Sequence, residues 1–86
     1  MRVSIRLFGA FRPFQAHDVL ELDCPDDATV EDVRAAFDAH ASAHWNGYNS
    51  RLLRLSALAT EDALLPAGSR VPADGRLAVI PPVSGG

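Results

Sequence analysis

The sequence predicts a small α+β domain, and three stretches carry that reading. Arg2 to Phe8 alternates polar and apolar residues with period two, as a half-buried strand does. From Val30 the apolar residues fall at Val33, Ala36, Phe37, Ala41 and Trp45, which is helical spacing. Leu77 to Ile80 alternates again. Eighty-six residues make one domain. A chain of this size buries only about three-fifths of its unfolded surface, so the core must be compact. Residues 1–80 are expected to fold, and residues 81–86 to form a flexible tail.

In the first strand Val3, Ile5 and Leu7 share one face, and Arg2, Ser4, Arg6 and Phe8 the other. Gly9 ends it. Ala10 to Asp18 is a connection with Pro13 in its middle, and Phe11 and Phe14 are expected to pack locally over the core. Val19 to Cys24 is the second strand, with Leu20, Leu22 and Cys24 on one face. The two strands pair as an antiparallel hairpin. Pro25-Asp26-Asp27-Ala28 is a turn. Thr29 is the expected N-cap of the helix, with Asp32 closing a capping box. Glu31 and Asp32 suit the positive end of the helix dipole. Arg34 and Asp38 lie outside the apolar stripe, and Asn46-Gly47 is a plausible stop. Trp45 and Tyr48 close the bottom of the core. Leu52 to Ala59 is expected as the third strand, with Leu53, Leu55 and Ala57 facing the helix and Arg54, Ser56 and Leu58 facing outward. Leu64-Leu65-Pro66 is a short strand or edge segment. Asp74-Gly75 is a turn into the last strand, where Leu77 and Val79 face the core and Ala78 and Ile80 face out.

Composition excludes several classes. No stretch approaches the ~18 apolar residues of a membrane span. The start of the chain lacks the apolar run and cleavage site of a signal peptide, so a cytoplasmic protein without a membrane partner is expected. A net charge of −3 argues against a nucleic-acid partner. One cysteine, Cys24, leaves no internal disulfide and fits a reducing compartment. All eight basic residues are arginine, so Met1 alone offers an amine for self-conjugation. His40 and His44 stand four apart on the helix, a spacing that can share a metal. No carboxylate and cysteine set accompanies them, and a solvated helix edge with no metal is expected.

The sequence closes on Pro81-Pro82-Val83-Ser84-Gly85-Gly86. A Gly-Gly end has no side chains to pack and loses much conformational freedom on ordering. Folding therefore gives no reason for it beyond an ordinary frayed terminus. Chemistry gives one: a terminal carboxylate that must thread a narrow channel needs the slimmest chain behind it. Two prolines hold φ at about −65° and favour an extended exit from the last strand.

Leu77 to Gly86 resembles the C-terminus of the MoaD/ThiS family of small ubiquitin-like sulfur carriers, most closely its MoaD branch, the small subunit of molybdopterin synthase. In that family a strand runs into Pro-Pro-Val-Ser/Thr-Gly-Gly. Val71-Pro72-Ala73-Asp74-Gly75-Arg76 resembles the family's turn into the last strand, and Val3-Ser4-Ile5-Arg6-Leu7-Phe8-Gly9 its first strand. Ala59-Thr60-Glu61 and the stretch from His40 to Arg51 depart from it. The resemblance implies the β-grasp, or ubiquitin-like, fold: a mixed sheet of four to five strands, the first and last parallel at its centre, with one main helix across one face.

It also implies chemistry. A carboxylate is a poor acyl donor. A ubiquitin-activating-type enzyme would adenylate Gly86 with ATP and Mg²⁺, and a sulfur nucleophile supplied through a sulfurtransferase would displace AMP. The covalent product on Gly86 is a thiocarboxylate. It would give up its sulfur in a second enzyme, such as the large subunit of molybdopterin synthase, with Pro81, Pro82, Val83, Ser84, Gly85 and Gly86 inserted in the partner's site. The carrier itself binds no cofactor and is a cosubstrate, not an enzyme. Relatives serve thiamine, cysteine, tRNA thiolation and natural-product pathways. Two other classes share these features: a protein modifier that joins the same acyl-adenylate to an amine, and a binding module with an inert tail. Phe8, Leu58 and Ile80 are expected to converge on the open sheet face as the partner-docking surface.

Overall fold

The structure, a computed structural model, describes residues 1–82. Four strands form one mixed sheet: β1 (Arg2–Leu7), β2 (Val19–Asp23), β3 (Ala57–Ala59) and β4 (Arg76–Ile80). Their order is β2-β1-β4-β3. β1 pairs antiparallel with β2 and parallel with β4, and β3 pairs antiparallel with β4. The first and last strands are thus the parallel central pair of a β-grasp sheet. The fifth strand shrinks to a single bridge between Ala59 and Leu64.

Strand alternation fills the core. Val3, Ile5, Leu7, Leu58 and Val79 are fully buried on one face of the sheet, with Leu20, Leu22 and Leu77 nearly so. Helix α1 (Val30–His44) packs its stripe of Val30, Val33, Phe37 and Ala41 into the same core. Its start follows the sequence: Thr29 Oγ1 accepts from the Asp32 amide at 3.3 Å, and Asp32 Oδ2 accepts from the Thr29 amide at 2.9 Å. Gly9–Phe14 winds into a 3-10 helix that lays its aromatics over the core. Phe11 meets Phe37 edge-on at 5.6 Å, and Phe14 stacks on Trp45 at 5.1 Å.

One segment departs from expectation. Leu52 to Ala59 is not a continuous strand. Ser50–Arg54 forms a short helix, α2, and only Ala57–Ala59 is extended. Asn49 caps α2, its Oδ1 accepting from the Arg51 amide at 2.8 Å. The Ser56 hydroxyl donates to the Leu52 carbonyl at 2.6 Å. From across the domain, the Arg34 guanidinium donates to the carbonyls of Leu53 and Ser56. These bonds add donors to carbonyls at and just past the end of α2, where the Leu53 carbonyl also accepts from the Ser56 amide at 3.0 Å. Leu53 on the helix and Ser56 just after it turn inward, while Leu55 is left exposed.

Asp38, the other residue outside the stripe, accepts from the Tyr48 hydroxyl at 2.7 Å. Burial, with this carboxylate beside it, pushes the Tyr48 phenol far above its usual range. The two polar residues beside the stripe therefore tie α1 to the following segment. Arg34→Met should leave two carbonyls without their charged donor. Its expected cost is about 2 kcal/mol, read as a lower midpoint in urea unfolding with an unchanged slope.

Candidate functional site

The site begins at the turn into β4. Gly75 has φ +67°, and a Cβ there would lie 2.3 Å from the Arg2 carbonyl oxygen. Only glycine lets this turn close on β1, where the Ser4 amide donates to the Gly75 carbonyl at 2.8 Å. Asp74 Oδ1 accepts from the Arg76 amide at 3.0 Å and completes the turn. From this anchor β4 runs parallel to β1, with Leu7 beside Val79 at its end. The last strand therefore leaves the sheet at its centre, beside Phe8 and Gly9. Pro81 is half-buried and Pro82 exposed. Val83, Ser84, Gly85 and Gly86 lie outside the described residues.

Next to this exit the open sheet face carries two large apolar side chains. Phe8 is 41% exposed and Ile80 39%, on the face expected for both. Leu58 is not with them. It is fully buried, because in the β3–β4 register it stands opposite Val79, on the core side. A strand shifted by one residue exchanges its faces, and here the shift comes from the turn of helix that replaces the start of the expected strand. Ala59 stands opposite Ala78 on the other side of the sheet, itself buried under the bridge to Leu64. Leu64, bridged to Ala59 and 66% exposed, continues the apolar surface past the sheet edge. A bridge to the rim was the signal that sequence periodicity lacked.

Beside Phe8 and Ile80 lies a shallow groove of about 750 Å³. Phe8, Val19, Ala59, Ala78 and Ile80 supply apolar lining, while Arg6 and Arg76 stand on the adjoining strands. Among the described residues neither arginine forms an ion pair. The groove thus offers apolar area bordered by Arg6 and Arg76 on one part and by Glu61 on another.

Other candidate residues lie outside the groove lining. Cys24 is buried, and burial pushes its thiol up. The rings of His40 and His44 lie 4.6 Å apart. Burial, together with the neighbouring His44, pushes the His40 imidazole down. Among the described residues no third His, Cys, Asp or Glu joins them in a possible metal set. Also among the described residues, no helix is long and apolar enough to cross a membrane.

Comparison with known proteins agrees with this geometry. No curated protein matches the sequence. Among solved structures, the crystal structure of SAMP1 from Haloferax volcanii superposes with a TM-score of 0.73 at 26% identity, over 100% of both chains. Residues 5–86 match the ThiS family. That match spans the sheet, the helix and the closing Gly-Gly, and the chain belongs to the ThiS family of ubiquitin-like sulfur carriers.

Proposed function

We propose that the protein carries sulfur as a thiocarboxylate on Gly86 and delivers it as the small subunit of molybdopterin synthase. The observation that carries this reading is the position of the tail root. Pro81 follows the central parallel strand directly and stands beside the Phe8 and Ile80 surface. A partner seated on that surface would have the tail at its own active site.

In the loading step the Gly86 carboxylate attacks the α-phosphate of Mg²⁺-bound ATP, and pyrophosphate leaves. A hydrosulfide-level nucleophile then adds to the acyl carbon and AMP leaves, giving the thiocarboxylate; a persulfide donor would give an acyl disulfide, which a thiol then cleaves to the same product. Glycine leaves the attacked carbon uncrowded. The chain contributes placement, and the activating enzyme contributes the charge stabilisation. In the delivery step the tail enters the large subunit, and the thiocarboxylate sulfur bonds to a carbon of a cyclic pterin. Water cleaves the resulting thioester, which returns the Gly86 carboxylate and leaves the sulfur on the pterin. A dithiolene takes two such transfers from two loaded carriers. The closing Pro-Pro-Val-Ser-Gly-Gly favours this acceptor. Incubation of the thiocarboxylated protein with that large subunit and the cyclic pterin should yield the dithiolene product. Failure there, with transfer to a thiamine or tRNA precursor instead, would reassign the pathway and keep the carrier.

The groove chemistry makes a further expectation about the activating complex. Phe8 would be buried against the partner, a contribution of about 1.5–3 kcal/mol. Phe8→Glu removes that area and sets a carboxylate in an apolar contact. Binding to the activating enzyme should weaken by at least about tenfold, with an unchanged circular dichroism spectrum. Calorimetric titration checks this, and wild-type affinity in the variant would remove the surface from the mechanism.

A further inference from the structure

The parallel register, continued two steps past Leu7 and Val79, brings Gly9 opposite Pro81. The contact is close. Gly9 has φ +54°, and a Cβ there would lie 2.8 Å from Pro81 Cγ, with Cδ and Cβ of the same ring at 3.9 and 4.0 Å. No side chain larger than hydrogen fits while the ring keeps its place. The ring itself has little freedom. Proline fixes its own φ and holds the preceding Ile80 in extended backbone. Pro82 repeats the restriction. The chain thus leaves β4 through a stiff dipeptide whose first ring rests on a glycine.

We propose that Gly9 is a positioning residue for the tail. Its missing side chain forms the seat of the Pro81 ring, and that seat sets the direction in which Pro82 leads the chain from the sheet. The proposal rests on the carrier reading above. Its consequence lies at the far end of the tail. Four residues, Val83 to Gly86, follow Pro82. Extended, they span at most about 14 Å, so a tilt of about 10° at the root moves the tip by roughly 2 Å. Misplacement by about 1 Å can cost on the order of 10²-fold in rate. A seat at the root therefore acts on the reaction step and leaves the docking surface intact.

The test uses the full chain, ATP and the ubiquitin-activating-type enzyme of the same organism. Pyrophosphate exchange is measured for wild type, Gly9→Ala, Pro81→Ala and the double variant. Gly47→Ala is the control: its φ is +82° with nothing within 4 Å, so it carries the backbone strain without a contact. In the free wild-type protein a nuclear Overhauser effect should connect the Gly9 Hα protons with the Pro81 ring protons. Gly9→Ala should lower kcat about tenfold with little change in KM for the carrier. Because Pro81→Ala removes the obstructing Cγ, the double variant should be no slower than Gly9→Ala alone. Gly47→Ala should keep the wild-type kcat.

Wild-type kcat in Gly9→Ala, losses that multiply in the double variant, or absence of the Overhauser effect would overturn the proposal. If Gly9→Ala does not fold, Pro81→Ala carries the test: a kcat loss at constant KM supports the seat, and an unchanged kcat overturns it. A wild-type protein that gives no exchange at all refutes the carrier reading, and the role of Gly9 falls with it. An active wild type with an indifferent Gly9→Ala refutes the seat alone.

Discussion

Removal of Gly86 is expected to abolish sulfur loading and leave the fold at full stability. The fully buried core ends at Val79, and by Pro82 the chain is already exposed. Gly86 lies seven residues beyond the end of that core, outside the described residues. Its proposed role is reach. One extended residue spans about 3.3–3.6 Å, while about 1 Å of misplacement can cost on the order of 10²-fold. The shortened chain presents a carboxylate of the same chemistry in the wrong place. Gly86→Ala keeps the reach but crowds the attacked carbon, so it should load at an intermediate rate. Pyrophosphate exchange and the mass of the product distinguish the three proteins. Normal loading of the shortened chain would separate Gly86 from the reaction.

Phe37→Ala should have the largest effect on stability, about 3–5 kcal/mol. Phe37 is fully buried in the middle of the helix stripe. Its ring meets Phe11 at 5.6 Å and Trp45 at 5.5 Å, both edge-on. Truncation would remove the shared neighbour of the 3-10 helix and the end of α1. A domain of this size is stabilised by roughly 4–13 kcal/mol, at about 0.05–0.15 kcal/mol per residue. The variant should therefore unfold at much lower urea, with Trp45 fluorescence as the reporter. Leu64→Ala, at a site 66% exposed, should change the midpoint little. A loss below about 1 kcal/mol for Phe37→Ala would mean that the aromatic cluster does not hold the domain together.

The parts of this fold that could be read from sequence are those with a strict period and a local signal. Val3, Ile5 and Leu7 alternate cleanly and are all buried. The helix start is written in Thr29 and Asp32, and the bonds that form are the expected ones. The segment from Leu52 to Ala59 has neither property. Leu52-Leu53-Arg54-Leu55 fits a helix and a strand alike, as short apolar runs do. Long-range bonds from Arg34 at the end of α2 were invisible in the local pattern. That ambiguity moved Leu58 to the core and put the small Ala59 at the position opposite Ala78. Phe8 and Ile80 escaped it because their strands are central and doubly paired. Gly9 stood in the sequence only as the end of a strand. Its relation to Pro81 required the parallel register of two strands separated by most of the chain.

The carrier reading is tested most directly by the intact mass of the protein isolated from its own cells, before and after alkylation of the folded form. Cys24 is buried and its thiol is pushed up by that burial, so native alkylation should spare it. A Cys24→Ala variant treated in parallel checks that assignment. A sulfur carrier should show a fraction heavier by one oxygen-for-sulfur exchange, and that fraction alone should take the alkyl group, at Gly86. A chain that shows only the free carboxylate, and that the activating enzyme with ATP fails to adenylate, would contradict the reading and leave an inert β-grasp module.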